Sequence, residues 1–151
     1  MARMVPFPML PTDSAAERRL YEGFLEQLDD AFVVYHSVDW VVGGRAGTDE
    51  GEADFVITHP DLGLLALEVK GGRVARSADG VWEFTDRYDV LRRKVEGPFR
   101  QAASAQIALQ RWVEGQLPSS DAGSIAWGYG AAFPDIQFHE TSPEWSAEMV
   151  G

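Results

Sequence analysis

Two apolar, strand-like runs with charges set into their matching ends constrain this chain more than any other feature. The first is Gly51-Glu52-Ala53-Asp54-Phe55-Val56-Ile57 and the second is Leu64-Leu65-Ala66-Leu67-Glu68-Val69-Lys70. His59-Pro60-Asp61-Leu62-Gly63 separates them and reads as a tight turn. Strands of this kind bury surface, and a charge inside one is costly unless something uses it. A hairpin symmetric about Asp61 sets Asp54 across from Glu68, Glu52 across from Lys70, Phe55 across from Leu67 and Ile57 across from Leu65. Strand alternation then puts Ala53, Phe55, Ile57, Leu65, Leu67 and Val69 on one apolar face. The other face ends in Glu52, Asp54, Glu68 and Lys70.

Directly opposed side chains have Cβ atoms ~4.5–5.5 Å apart. Two carboxylates that close repel, and a cation between them removes the conflict. A hard divalent ion, Mg²⁺ or Mn²⁺, suits a set made of Asp54, Glu68 and the Val69 carbonyl. Lys70, two residues past Glu68 and ~6.6 Å along the strand, supplies positive charge where a phosphate would react. The arrangement predicts phosphodiester hydrolysis: an activated water, polarised phosphoryl oxygens and a stabilised pentavalent phosphate.

The remainder of the chain predicts a frame for this hairpin. Ser14-Ala15-Ala16-Glu17 opens a helix running to about Asp29, with a capping-box pattern. Ala31 to Val42 reads as a strand, and Gly43 to Gly51 as a loop. That loop lacks the Gly-Lys-Ser/Thr ending of a phosphate-binding loop. Val74 to Asp86 predicts a small hairpin around Asp79-Gly80. Pro98 starts a second helix that Pro118 ends. Ser119 to Gly123 reads as a loop, Ile125 to Phe133 as a final strand, and the tail as irregular. The predicted fold class is α/β (α+β), a mixed sheet flanked by helices.

At 151 residues the chain has the length of one domain, and 45% hydrophobic residues suffice for a core. It has no cysteine, which excludes disulfides and thiolate metal sites. No apolar run approaches the ~20 residues of a membrane span. Met1 to Pro11 is broken by prolines and lacks signal-peptide features, so a cytoplasmic protein is expected. The net charge of −11 argues against a tight, stand-alone nucleic-acid binder. Yet Arg87, Arg92, Arg93, Lys94 and Arg100 share one window and form a candidate DNA track. His36, His59 and His139 lack metal-ligand spacing and read as structural or surface residues.

Asp54, a hairpin and Glu68-Val69-Lys70, after a helix bearing Glu17, resemble the PD-(D/E)XK nuclease superfamily. Gly51-Glu52-Ala53-Asp54 through Leu67-Glu68-Val69-Lys70-Gly71-Gly72 is similar to its nuclease-related (NERD) domain. The resemblance implies a restriction-endonuclease-like core over residues 14–134, after an extension (1–13) and before an irregular tail (135–151). It implies Asp54, Glu68 and Lys70 as catalytic, with Glu17 as the first-helix carboxylate, although Glu17 has a competing capping role. Pro98-Phe99-Arg100-Gln101 resembles the Pro-x-x-Gln of the family's next helix. Gln101, with Arg100, Lys94 and Arg93, is then a candidate substrate contact. The residue before Asp54 is Ala53 where the superfamily motif has Pro.

The function so implied is metal-dependent DNA cleavage in repair or processing. The chain resembles the branch fused to superfamily 1 helicases but has no Walker motif, as an excised N-terminal domain or a short member would. One alternative is a weakly active or inactive nuclease-fold module that docks DNA or a helicase partner. Another is a protein-interaction domain without metal.

Overall fold

The computed structural model describes residues 1–44 and 47–139. Its elements are β1 (Arg3–Val5), α1 (Ala15–Gln27), β2 (Val33–Gly44), β3 (Gly47–His59), β4 (Gly63–Val69), β5 (Arg73–Arg76), β6 (Trp82–Thr85), β7 (Leu91–Lys94), α2 (Pro98–Gln116), α3 (Ser119–Ala122) and β8 (Trp127–Ala132). The main sheet has the order β1-β2-β3-β4-β8 and is mixed: β1 runs parallel to β2 and β8 parallel to β4, the other pairs being antiparallel. Strands β5-β6-β7 form a second, antiparallel sheet.

The helices cover opposite faces of the main sheet. Ala16 and Tyr21 of α1 pack with Ala2, Met4, Val34, Phe55 and Val69. Phe24 meets the Phe55 ring edge-on at 5.3 Å between centroids. On the other face, Ala105 and Leu109 of α2 pack with Trp40, Ala53 and Val56. Both helices begin where the sequence places them. The Ser14 hydroxyl accepts from Glu17 N–H at 3.2 Å, and Pro98 occupies the first turn of α2, where its missing N–H costs nothing.

Two local expectations, both loops, are corrected, and two strands lie where no element was expected. Gly43 to Gly51 is not a loop: β2 runs to Gly44 and β3 starts at Gly47, in register Val42↔Asp49, Gly43↔Thr48 and Gly44↔Gly47. Cross-strand pairing there overrides the weak strand propensity of glycine and aspartate. Arg45 and Ala46 lie outside the described residues. The proline-broken N-terminus contributes β1, whose partner β2 supplies the bonds that three residues could not secure alone. Leu91–Lys94 is a strand with four exposed residues, a charged edge without apolar alternation. Ser119–Ala122 forms a short helix rather than a loop. Of the irregular tail, residues 140–151 lie outside the described residues.

Candidate active site

The β3–β4 pairing runs Phe55↔Leu67, Val56↔Ala66, Ile57↔Leu65, Thr58↔Leu64 and His59↔Gly63. This is the register of a hairpin symmetric about Asp61. The ladder stops at Phe55↔Leu67, one step before Asp54 and Glu68, so the predicted pairing of Glu52 with Lys70 does not form; Glu52 pairs with Asp39 of β2. Strand β4 meanwhile stays with β8 through Glu68↔Ala131 and Val69↔Ala132. Asp54 therefore stands in a fork between diverging strands.

The other neighbour also changes course at this point. The β2–β3 register passes from His36↔Phe55 to Val38↔Ala53, skipping Ser37 and Asp54. Ser37 has φ of 55°, in the left-handed region that few residues other than glycine adopt. One residue on each strand is left out of the ladder here while the register stays the same, and both strands change face at this point. Val34 and Phe55 thus pack toward α1, while Val38, Trp40 and Ala53 pack toward α2. This corrects the single apolar face expected of the hairpin: Ala53 lies on the opposite side from Phe55.

In the fork, Asp54 Oδ2 accepts from Val69 N–H at 2.7 Å. Burial, followed by the neighbouring Glu68 carboxylate, pushes the Asp54 carboxyl up to about 7. Glu17 adds to the rise, while the Val69 hydrogen bond and Lys70 oppose it. The three acidic residues and Lys70 named from the sequence are thus close enough to act on one another. Lys70 Nζ pairs with Glu68 Oε1 and lies 5.9 Å from the Phe84 ring centroid.

Glu17 is not occupied by capping. Its N–H uses the Ser14 hydroxyl, but the reciprocal bond is absent: Ser14 N–H goes to Thr12 Oγ1 at 3.1 Å. The Glu17 carboxylate instead lies 2.8 Å from His36 Nε2. Among the described residues, no three His, Cys, Asp or Glu side chains converge tightly enough to hold an ion by themselves. The oxygen donors at hand are Asp54, Glu68 and backbone carbonyls, a hard set of the kind Mg²⁺ accepts while retaining water.

Glycines let the elements close on this site. A Cβ at Gly71 would come within 2.9 Å of Ala16 Cβ, so α1 approaches the Glu-x-Lys segment over bare backbone. Gly72, at φ +77°, turns the chain into β5. Asp135 holds the arrangement from outside, accepting Gly72 N–H at 2.7 Å and pairing with Arg19 of α1.

A cleft of about 520 Å³ opens beside Glu68 along α2, lined by Trp40, Glu52, Glu68, Glu96, Gln101 and Arg111 among others. Gln101 is thus brought to the site, and its Oε1 is buried without a hydrogen-bond partner among the described residues. Arg100 is exposed in the first turn of α2. Arg92, Arg93 and Lys94 are exposed on β7, where Arg93 pairs with Glu83 at 3.1 Å. Strand β7 belongs to the second sheet, whose Phe84 lies under Lys70.

Three contributors escaped the sequence reading: His36, Ser37 and Asp135. For His36 a signal existed. It falls in phase with the inward-facing Val34, and a polar side chain in that phase needs a partner.

A five-stranded mixed sheet between two helices, with an acidic fork and Glu-x-Lys at its strand ends, defines an α+β fold of the restriction-endonuclease-like kind. The nuclease-related domain family matches residues 12–126, most of the chain, and the protein belongs to that family. No curated protein and no solved structure gives a significant match. No helix among the described residues is long and apolar enough to cross a membrane.

Proposed function

We propose that this is a cytoplasmic, divalent-metal-dependent DNA endonuclease-like domain that hydrolyses phosphodiester bonds during repair or processing. The carrying observation is Asp54. Its carboxyl is pushed up to about 7 by burial and by Glu68. The fork thus holds more negative charge than its surroundings solvate, a deficit that a hard dication corrects.

Asp54, Glu68 and the Val69 carbonyl would hold Mg²⁺ or Mn²⁺. When bound, the ion lowers the pKa of a water and polarises phosphoryl oxygens. Lys70, now paired with Glu68, supplies positive charge to the reacting phosphate. Glu17 supports Asp54 from α1. Gln101 meets the substrate in the cleft, and Arg93, Lys94 and Arg100 attract its backbone. That attraction has to outweigh Glu52, Glu68 and Glu96 on the cleft walls, so affinity falls as salt rises.

Incubation with supercoiled plasmid and Mn²⁺ tests the proposal. Nicking that EDTA and Asp54→Ala both abolish is expected; equal nicking by wild type and variant would overturn it.

One observation favours a second reading, a module without turnover that docks DNA or a helicase domain in the same or another chain. Glu68 is held by Lys70 and Glu17 by His36, so the acids already have partners. Metal-dependent cleavage well above background excludes this reading.

A further inference from the structure

His36 is 4% exposed, and its ring lies between Tyr21 (centroids 6.0 Å apart, edge-on) and Phe55 (5.0 Å). Its Nε2 is 2.8 Å from Glu17 Oε2, while Nδ1 is buried with no hydrogen-bond partner among the described residues. A proton on Nε2 makes a charge-assisted bond to the carboxylate. A proton on Nδ1 would be a stranded buried donor and would leave two acceptors facing each other at 2.8 Å. The Nε2–H tautomer follows.

We infer that His36 is a positioning residue of the proposed metal site, donating from Nε2 to hold the Glu17 carboxylate in place. The inference rests on the nuclease reading above. Three features support the role. Glu17 has been released from its capping task, since Thr12 takes the Ser14 N–H. Its other side-chain contact, Thr12 Oγ1 at 3.4 Å, is long. And the backbone break at Ser37 falls directly after His36, making His36 the last β2 residue that faces α1 before the strand turns its side chains to α2. The ring is fixed by Tyr21 and Phe55, so the donor is held rigidly while the long Glu17 side chain is not.

The test uses the full chain with His36→Phe, which keeps a ring among Tyr21 and Phe55 but removes the donor, and His36→Gln, which restores an N–H near the Nε2 position. Mn²⁺ binding is read by calorimetry and plasmid nicking under single-turnover conditions. Loss of a group that orients a ligand weakens metal binding or activity by ~10–100-fold. His36→Phe is expected to show such a loss with its thermal transition still cooperative, and His36→Gln to recover most of it. In a Glu17→Ala background, His36→Phe is expected to add nothing. Wild-type metal affinity and nicking in His36→Phe would overturn the role, as would an undiminished effect in the Glu17→Ala background.

Long-range ¹H–¹⁵N spectra of the imidazole give a readout independent of activity. Nε2–H is expected, and Nδ1–H overturns the inference. A wild type that shows Nε2–H but neither binds Mn²⁺ nor nicks plasmid overturns the nuclease reading, and with it the positioning role. An active wild type with a silent His36→Phe overturns the positioning role alone.

Discussion

Asp54 and Val69 are joined by a hydrogen bond of 2.7 Å from the Val69 N–H to Asp54 Oδ2, at the point where β3 and β4 have stopped pairing. A side chain replaces the next rung of the ladder. The bond ties the two strand ends together, keeps Asp54 beside Glu68, and leaves the other carboxylate oxygen for a different partner.

Asp54→Asn and Glu68→Gln should each lower Mn²⁺-dependent nicking by ~100-fold or more, because loss of several kcal/mol of charge stabilisation is tenfold per ~1.4 kcal/mol. Both replacements are near-isosteric, and Asn retains an acceptor for Val69 N–H. Melting curves should therefore stay cooperative. Activity within threefold of wild type in either variant would contradict the assigned roles.

The Asp54 carboxyl gives a pH dependence with a definite sign. Its folded value, about 7, lies above the ordinary 3.8. Stability from this group is thus complete below pH 3.8 and is lost as pH rises through 7. Three units at ~1.4 kcal/mol each set an upper bound of ~4 kcal/mol, reduced by solvent screening. In EDTA, Asp54→Asn should melt progressively higher than wild type between pH 4 and 8. Mn²⁺ affinity of the wild type should rise over the same range, with proton release. A melting difference that does not change with pH would exclude a raised carboxyl.

Ser37 holds a left-handed conformation at φ of 55°. Ser37→Gly removes a strain of ~1–2 kcal/mol for a residue with a Cβ and should raise the melting temperature. Ser37→Val should lower it and also reduce nicking, because the break at Ser37 sets where His36 and Asp54 point. Thermal denaturation and plasmid nicking of both variants check this.

Asp135 pairs with Arg19 and accepts Gly72 N–H. Asp135→Ala should cost about 1–2 kcal/mol, since hydrogen bonds to a charged group contribute ~1.5–3 kcal/mol and this one is partly exposed. In a chain of 151 residues that corresponds to roughly 2–8 °C in melting temperature. Nicking should fall further than stability accounts for at temperatures well below the transition, because Asp135 bridges α1 and the Glu-x-Lys segment.

Much of the frame is written in local pattern. Ser14 and Pro98 start helices because their side chains or missing donor suit helix entry, and Pro118 stops one. The turn at Asp61 fixes the β3–β4 register because each strand buries an alternating face, so a slip would expose Phe55 and Leu67. Elements with little signal of their own were hidden. Strand β1 is three residues long, β7 is exposed throughout with three basic residues, and Gly43, Gly44 and residues 47–51 are strand only because β2 and β3 grip each other.

For this protein the sequence alone determined the hairpin register, the two long helices and the membership of Asp54, Glu68 and Lys70 in one charged end, since each follows from spacing and turn chemistry within a short span. Tertiary structure decided what those charges face. The fork at Asp54 needs β8 to hold β4 while β3 departs, and the change of face at Ser37 depends on helices packed against both sides. Glu17 turns from its cap to His36 because β2 comes to it from elsewhere in the chain. Such contacts join residues whose separation carries no period, so only the folded chain could bring them together.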